Sequence, residues 1–157
     1  MCIRDRQYSD DHLDILAQGM SGTPRQLIER IKRHPETVLL GTSSFWEGID
    51  VRGDSLQVLI ITRLPFEVPT DPVYSARSER YANPFMEYAL PNAIIRFRQG
   101  FGRLVRSNQD RGTVFVLDSR VVNSRYGHRF IKALPEMEIK RPESGEVGKV
   151  VSRWLGI

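Results

Sequence analysis

Two spacings of apolar residues alternate along this chain. Short unbroken or alternating apolar stretches occur in LDILAQG (13–19), ETVLLGT (36–42), DSLQVLIITRLPF (54–66) and GTVFVLD (112–118). These read as strands, and the uniformly apolar runs in 36–42 and at Val58–Ile61 predict strands covered on both faces. Helical spacing appears between them. In TPRQLIERIKR (23–33), Thr23 is a cap, Pro24 takes the first helical position, and Leu27, Ile28 and Ile31 form one apolar face. A further helix is expected within 69–84, between prolines. FMEYALPNAIIRFRQGFGRLVRS (85–107) is helical, with Pro91 expected to open a new helix. SRYGHRFIKAL (124–134) predicts a helix stopped by Pro135, and EVGKVVSRWLGI (146–157) a final amphipathic one. SSFWEGIDVRG (43–53) reads as a loop, and 135–145 as loose chain. Strands alternating with helices predict an α/β layer around a mostly parallel sheet. Sites in such sheets gather at strand carboxyl ends, here from Thr42, Arg63 and Asp118 onward.

Composition narrows the classes. A chain of 157 residues with 40% hydrophobic content suits one domain with a core. It has no apolar run of membrane-spanning length and no secretory pattern at its start. The single cysteine, Cys2, excludes an internal disulfide framework and a cysteine-built metal cluster within the chain, and a reducing cytoplasm is the expected setting. A net charge of +4 permits phosphate or nucleic-acid partners without requiring them. MCIRDR (1–6) has no periodicity, so residues 1–12 are expected to be a scar or edge, 13–135 the domain, and 136–157 a tail. The chain is accordingly expected to be a fragment.

QGFGRLVRS (99–107) carries the sharpest chemical signal. Each glycine inside a helix costs roughly 1 kcal/mol relative to alanine. With Gln99 at zero, Arg103 lies at about 40°, Arg106 at about −20° and Arg96 at about 60° on a helical wheel. Ile94, Phe97, Phe101 and Leu104 fall on the other side. One reading is an amphipathic helix with a solvated cationic face. The other is a phosphate clamp: the planar forks of two arginines suit phosphate oxygens, and glycine allows close approach of a ligand or a second backbone.

QGFGRLVRS resembles motif VI (Q-x-x-G-R-x-x-R) of superfamily 2 helicases, and GTSSFWEGIDVRG (41–53) resembles motif V in the DinG/XPD branch. TRLPF (62–66), the 83–107 stretch and FVLDSR (115–120) resemble bacterial DinG-type proteins in order and spacing. The resemblance covers roughly residues 13–135. It implies the second of two RecA-like motor domains, a three-layer α/β/α fold in a 5′-to-3′ ATP-dependent DNA helicase associated with DNA repair. ATP with Mg²⁺ is the implied cofactor, with the metal ligands on the first RecA-like domain. The chain contains no G-x-x-x-x-G-K-[ST] phosphate loop and no D-E-x-H stretch, so no hydrolysis is expected of it alone.

Carried over to this sequence, the resemblance implies that Gln99 contacts the γ-phosphate region or the attacking water, with Arg103 and Arg106 as arginine fingers. Gly48 and Asp50 join them at ATP. Glu47, with these two, links the ATP cleft to the nucleic-acid groove. Thr42, Ser43 and Ser44 hold backbone phosphates, while Trp46 and Phe45 either stack on a base or fill the core. The implied partners are single-stranded nucleic acid, with DNA expected, and the N-terminal RecA-like domain of the same protein. No membrane partner is expected. Iron–sulfur ligands, where relatives have them, lie outside this part of the motor. Asp118 is expected in a structural ion pair, with Arg103 as its partner. Arg63 and its proline-rich loop either touch the sugar-phosphate path or simply form a rigid turn. His12, His34 and His128 have no ligand spacing and read as surface or capping residues. The alternative function is a stand-alone nucleic-acid-binding or regulatory module without ATPase activity.

Overall fold

A computed structural model describes residues 14–34, 36–42, 56–104 and 112–155. Strand β1 (Asp14–Ala17) leads through a turn into α1 (Pro24–Arg33). The turn passes Gly19, whose φ of 80° is left-handed backbone that a side chain disfavours. Thr23 caps α1 as its sequence predicts. Its Oγ1 accepts the Gln26 N–H, and Gln26 Oε1 accepts the Thr23 N–H at 2.9 Å. This reciprocal pair satisfies two N–H groups that a bare helix start leaves orphaned.

Strand β2 (Thr37–Leu40) pairs with β1 in parallel, from Asp14 opposite Thr37 to Ala17 opposite Leu40. Leu16 and Leu27 are buried together against Leu39, so α1 seals one side of this pair. The expectation that β2 is covered on both faces fails: Val38 and Leu40 are each about 40% exposed. An unbroken apolar run gives a strand its residues, but a second layer must be present to cover them.

Strand β3 (Val58–Ile61) pairs in parallel with β4 (Thr113–Val116), from Val58 opposite Thr113 to Ile61 opposite Val116. β3 is also open on one side, with Ile60 exposed. Among the described residues the four strands form two parallel pairs, β1 with β2 and β3 with β4. Parallel strands flanked by helices make this an α/β structure.

Between β3 and β4 run α2 (Pro72–Ser78) and a long helix. Asp71 caps α2, its Oδ1 accepting from the N–H groups of Val73 and Tyr74. The long helix starts with a π-helical turn (Phe85–Ala89), in which the Leu90 N–H donates to the Phe85 carbonyl, and continues as α3 (Leu90–Leu104). The expected fresh start at Pro91 is thus replaced by a continuous helix. Proline has no N–H to donate, and the widened turn carries the chain into it without a break.

The larger core joins β3 to α3 through Ile61, Leu64, Leu90, Ala93 and Phe97, with Phe130 from the far side. Phe130 lies on α5 (Gly127–Lys132), which follows the single-turn α4 (Arg120–Asn123). Phe97 and Phe130 meet edge to face, with centroids 5.4 Å apart. Phe66, Phe85 and Tyr126 extend this contact. A 3₁₀ turn (Ser144–Glu146) begins in the stretch expected to be loose, and α6 (Val147–Leu155) follows within the stretch expected to form the last helix.

Candidate functional site

Helix α3 has two unlike sides. Leu90, Ala93, Phe97, Phe101 and Leu104 are buried, and Gly100 lies among them. Gln99 is exposed and Arg103 half-buried on the other side, four residues apart and therefore neighbours on one face. Packing of the apolar side fixes the rotation of the helix, so the polar side is presented by a rigid element.

Gly102 lies on the polar side, at about −60° from Gln99 on the wheel. A Cβ built there would meet nothing within 4 Å. The close approach expected at this glycine is therefore not made by any of the described residues. What Gly102 does provide is bare helix backbone between Gln99 and Arg103. Arg106 lies outside the described residues, as do Ser43, Ser44, Phe45, Trp46, Glu47, Gly48 and Asp50 of the motif V loop. Thr42 is described and exposed; Gln18 Oε1 accepts from both its N–H and its hydroxyl at 2.9 Å.

Asp118 is buried at the end of β4, and the expected pairing with Arg103 is incorrect. Its carboxylate accepts from Arg120 Nη2 at 2.6 Å and from Arg120 Nε at 2.9 Å, as well as from the Arg120 N–H at 3.0 Å. Its second role is to accept the Leu64 N–H at 2.8 Å. A partner two residues away reaches the carboxylate as soon as α4 turns, which a residue on another helix cannot match. The Arg120 guanidinium holds the Asp118 carboxyl well below the usual carboxylate range; burial opposes this, and the two backbone N–H groups add to it. Arg120 is raised in turn by the same hydrogen bonds and lies 5.3 Å from the Phe66 ring centroid.

The loop after β3 is thus held at several points. Leu64 is tied to Asp118, Phe66 sits in the aromatic cluster, and Glu67 forms an ion pair with Arg96 of α3. This matches the rigid turn that its prolines suggest. Arg63 itself is exposed. His34 takes the C-cap position of α1 and His128 is exposed, while His12 lies outside the described residues.

A groove of about 260 Å³ lies beside α3, with Gln99 in its lining. Its walls include Glu67 and Arg96 together with Arg77, Tyr88 and Asn92. The sequence reading placed Arg96 on the polar face but missed the groove. Glu67 and Arg96 are 29 residues apart, and no local spacing signals their pairing. No group of three or more His, Cys, Asp or Glu side chains that could hold a metal occurs among the described residues. No described helix is long and apolar enough to cross a membrane.

Comparison with known proteins agrees with this architecture. The sequence model of the helicase C-terminal domain family matches residues 2–137. The chain is 40% identical over 145 residues to the 3'-5' exonuclease DinG of Bacillus subtilis, covering 89% of this chain and 16% of that protein. It is 44% identical over 128 residues to the ATP-dependent DNA helicase YoaA of Haemophilus influenzae, covering 79% of this chain and 20% of the relative. For YoaA of Escherichia coli the identity is 41% over 149 residues, with 92% and 22% covered. The chain thus spans about a fifth of the length of these relatives.

Proposed function

The chain belongs to the helicase C-terminal domain family, a RecA-like α/β fold, and from that premise we propose that it is the second motor lobe of a DinG-type, ATP-dependent DNA helicase moving 5′ to 3′. The observation that carries this reading is the open face of α3. Gln99 and Arg103 stand one turn apart on it, and Gly102 leaves the backbone between them uncovered.

That face suits the anionic tail of a nucleotide. Arg103 can donate two parallel hydrogen bonds to phosphate oxygens, and Gln99 can orient a water or bind an adjacent oxygen. Arg106, in the same motif, is proposed as the second finger. ATP, when held by the first lobe with its Mg²⁺, supplies the phosphoryl group. This chain's part is to bring fixed positive charge to the site where negative charge develops, and to keep bulk water away from it. The rigid burial of Phe97, Phe101 and Leu104 limits reorganisation of Gln99 and Arg103 as the lobes close.

Thr42, Ser43, Ser44, Trp46 and Glu47 are proposed to contact single-stranded DNA. Gly48 and Asp50 are proposed to relay closure of the ATP site to that strand. The domain core is assigned to residues 13–135, followed by a tail, in a cytoplasmic protein that also contains the first lobe. The chain alone is proposed to lack ATPase activity.

The test is Arg103→Ala in the longer protein carrying both lobes. Turnover should fall by about a thousandfold, the scale set by arginine fingers. Affinity for single-stranded DNA should stay within about twofold, because the finger faces the nucleotide. Unchanged turnover would overturn the assignment.

A further inference from the structure

Arg96, Gln99 and Arg103 follow one another along the polar side of α3. Arg96 precedes Arg103 by two helical turns, about 10 Å along the axis. Its guanidinium is ion-paired with Glu67 Oε1, across the gap between α3 and the loop leaving β3. Glu67 therefore neutralises the first arginine of this face.

The pair is better shielded than the one between Arg30 of α1 and Asp14 of β1. The side chains of Arg96 and Glu67 are 33% and 20% exposed, against 47% and 38% for Arg30 and Asp14. Less solvent means less screening. Glu67 Oε2 is buried and accepts no hydrogen bond from a described residue, so among these Arg96 alone balances the carboxylate. Loss of Arg96 would leave that charge unpaired, and the loop would have to move to hydrate it.

Both ends of the pair are anchored. On the loop, the Leu64 N–H is held by Asp118, and Phe66 packs on Phe85 and Phe130. On the helix, Arg96 is followed by Phe97, which is buried against Phe130. The apolar contacts hold only the inner side of α3. Such contacts are non-directional and tolerate a small roll of the helix, whereas a charge-assisted hydrogen bond across the polar side resists it.

We propose that Glu67 and Arg96 are positioning residues for Gln99 and Arg103. Their ion pair sets the rotation of α3 from its polar side and withholds Arg96 itself from phosphate. This rests on the proposed function, in which Gln99 and Arg103 face the nucleotide.

Two experiments test it. The first uses the 157-residue chain without nucleotide. Amide hydrogen exchange across residues 96–104 should quicken by about tenfold in Glu67→Gln and in Arg96→Met, with α1 unchanged within about twofold. Arg30→Met, which breaks the more exposed pair, should leave residues 96–104 at the wild-type rate. The second measures ATP turnover in the protein carrying both lobes. In Glu67→Gln and Arg96→Met, kcat should fall by about ten- to a hundredfold while KM stays within about threefold, as for groups misplaced in the transition state. The double variant should be no slower than the slower single one, because both break one interaction. Arg30→Met should keep kcat within about twofold of wild type. Unchanged exchange, unchanged kcat, losses that multiply in the double variant, or an equal loss in Arg30→Met would each overturn the proposal. A loss of turnover in Arg103→Ala without one in Arg96→Met would overturn this proposal alone. Unchanged turnover in Arg103→Ala would overturn the finger assignment and, with it, the positioning role.

Discussion

The carboxylate of Asp118 accepts the backbone N–H of Leu64 at 2.8 Å, across 54 residues of sequence. That bond joins the end of β4 to the loop leaving β3, and Arg120 binds the same carboxylate from α4. The loop so fixed carries Phe66 into the aromatic cluster and Glu67 to Arg96 on α3. Asp118 therefore acts on the candidate site through the loop, without touching it.

This arrangement predicts a pH-dependent stability. The folded carboxyl titrates below its unfolded value of about 3.9, so its contribution is fully present above that value and is lost as pH falls through the folded pKa. Asp118→Asn should cost about 1–3 kcal/mol near neutral pH. Half-exposure of Arg120 places the expectation toward the lower end. Urea melts from neutral to acid pH check this: the gap between wild type and variant should be constant above about pH 5 and should narrow below about pH 4.

Gly127 and Gly145 make a matched pair for backbone proximity. A Cβ at Gly127 would lie 2.2 Å from the Val121 carbonyl oxygen and 2.5 Å from that of Arg120, both backbone atoms, while one at Gly145 meets nothing within 4 Å. Gly127→Ala should destabilise by about 2 kcal/mol or more, since α4 and α5 must separate. Gly145→Ala should be near neutral. Thermal melts of the two variants give the comparison.

Gly102→Ala should separate stability from function. Open space around the position allows alanine to stabilise α3 by up to about 1 kcal/mol. In the two-lobed protein the same methyl group would stand where the nucleotide-bearing lobe is proposed to approach, and turnover should fall. A melting temperature that rises together with unchanged hydrolysis would show that this backbone is not approached.

Phe97 is fully buried between Ile61 of β3 and Phe130 of α5. Phe97→Ala should cost about 3–5 kcal/mol and weaken the hold on the whole polar face of α3. Equilibrium unfolding in urea reads this directly.

Legibility in the sequence followed the range of the forces involved. Thr23, Pro24 and Gln26 set the start of α1 within four residues, and α1 was readable. The apolar spacing of Phe97, Phe101 and Leu104 likewise gave the buried side of α3, and with it the shared face of Gln99 and Arg103. Pro91 misled because a π-turn has no sequence mark beyond the proline it accommodates. Val38 and Leu40 misled because an apolar run does not reveal how many layers cover it. Asp118 was recognised as an ion-pair member, but its partner was set by the tight turn into α4 rather than by helix α3. The Glu67–Arg96 pair, and the groove it lines, depends on tertiary packing alone.

The most direct measurement is a structure of the two-lobed protein with a non-hydrolysable ATP analogue, read as the distance from the Arg103 guanidinium to the γ-phosphate oxygens. The account predicts contact at about 3 Å, with Gly102 facing the bound lobe. A γ-phosphate met by another face of the domain, with Arg103 turned to solvent, would contradict it.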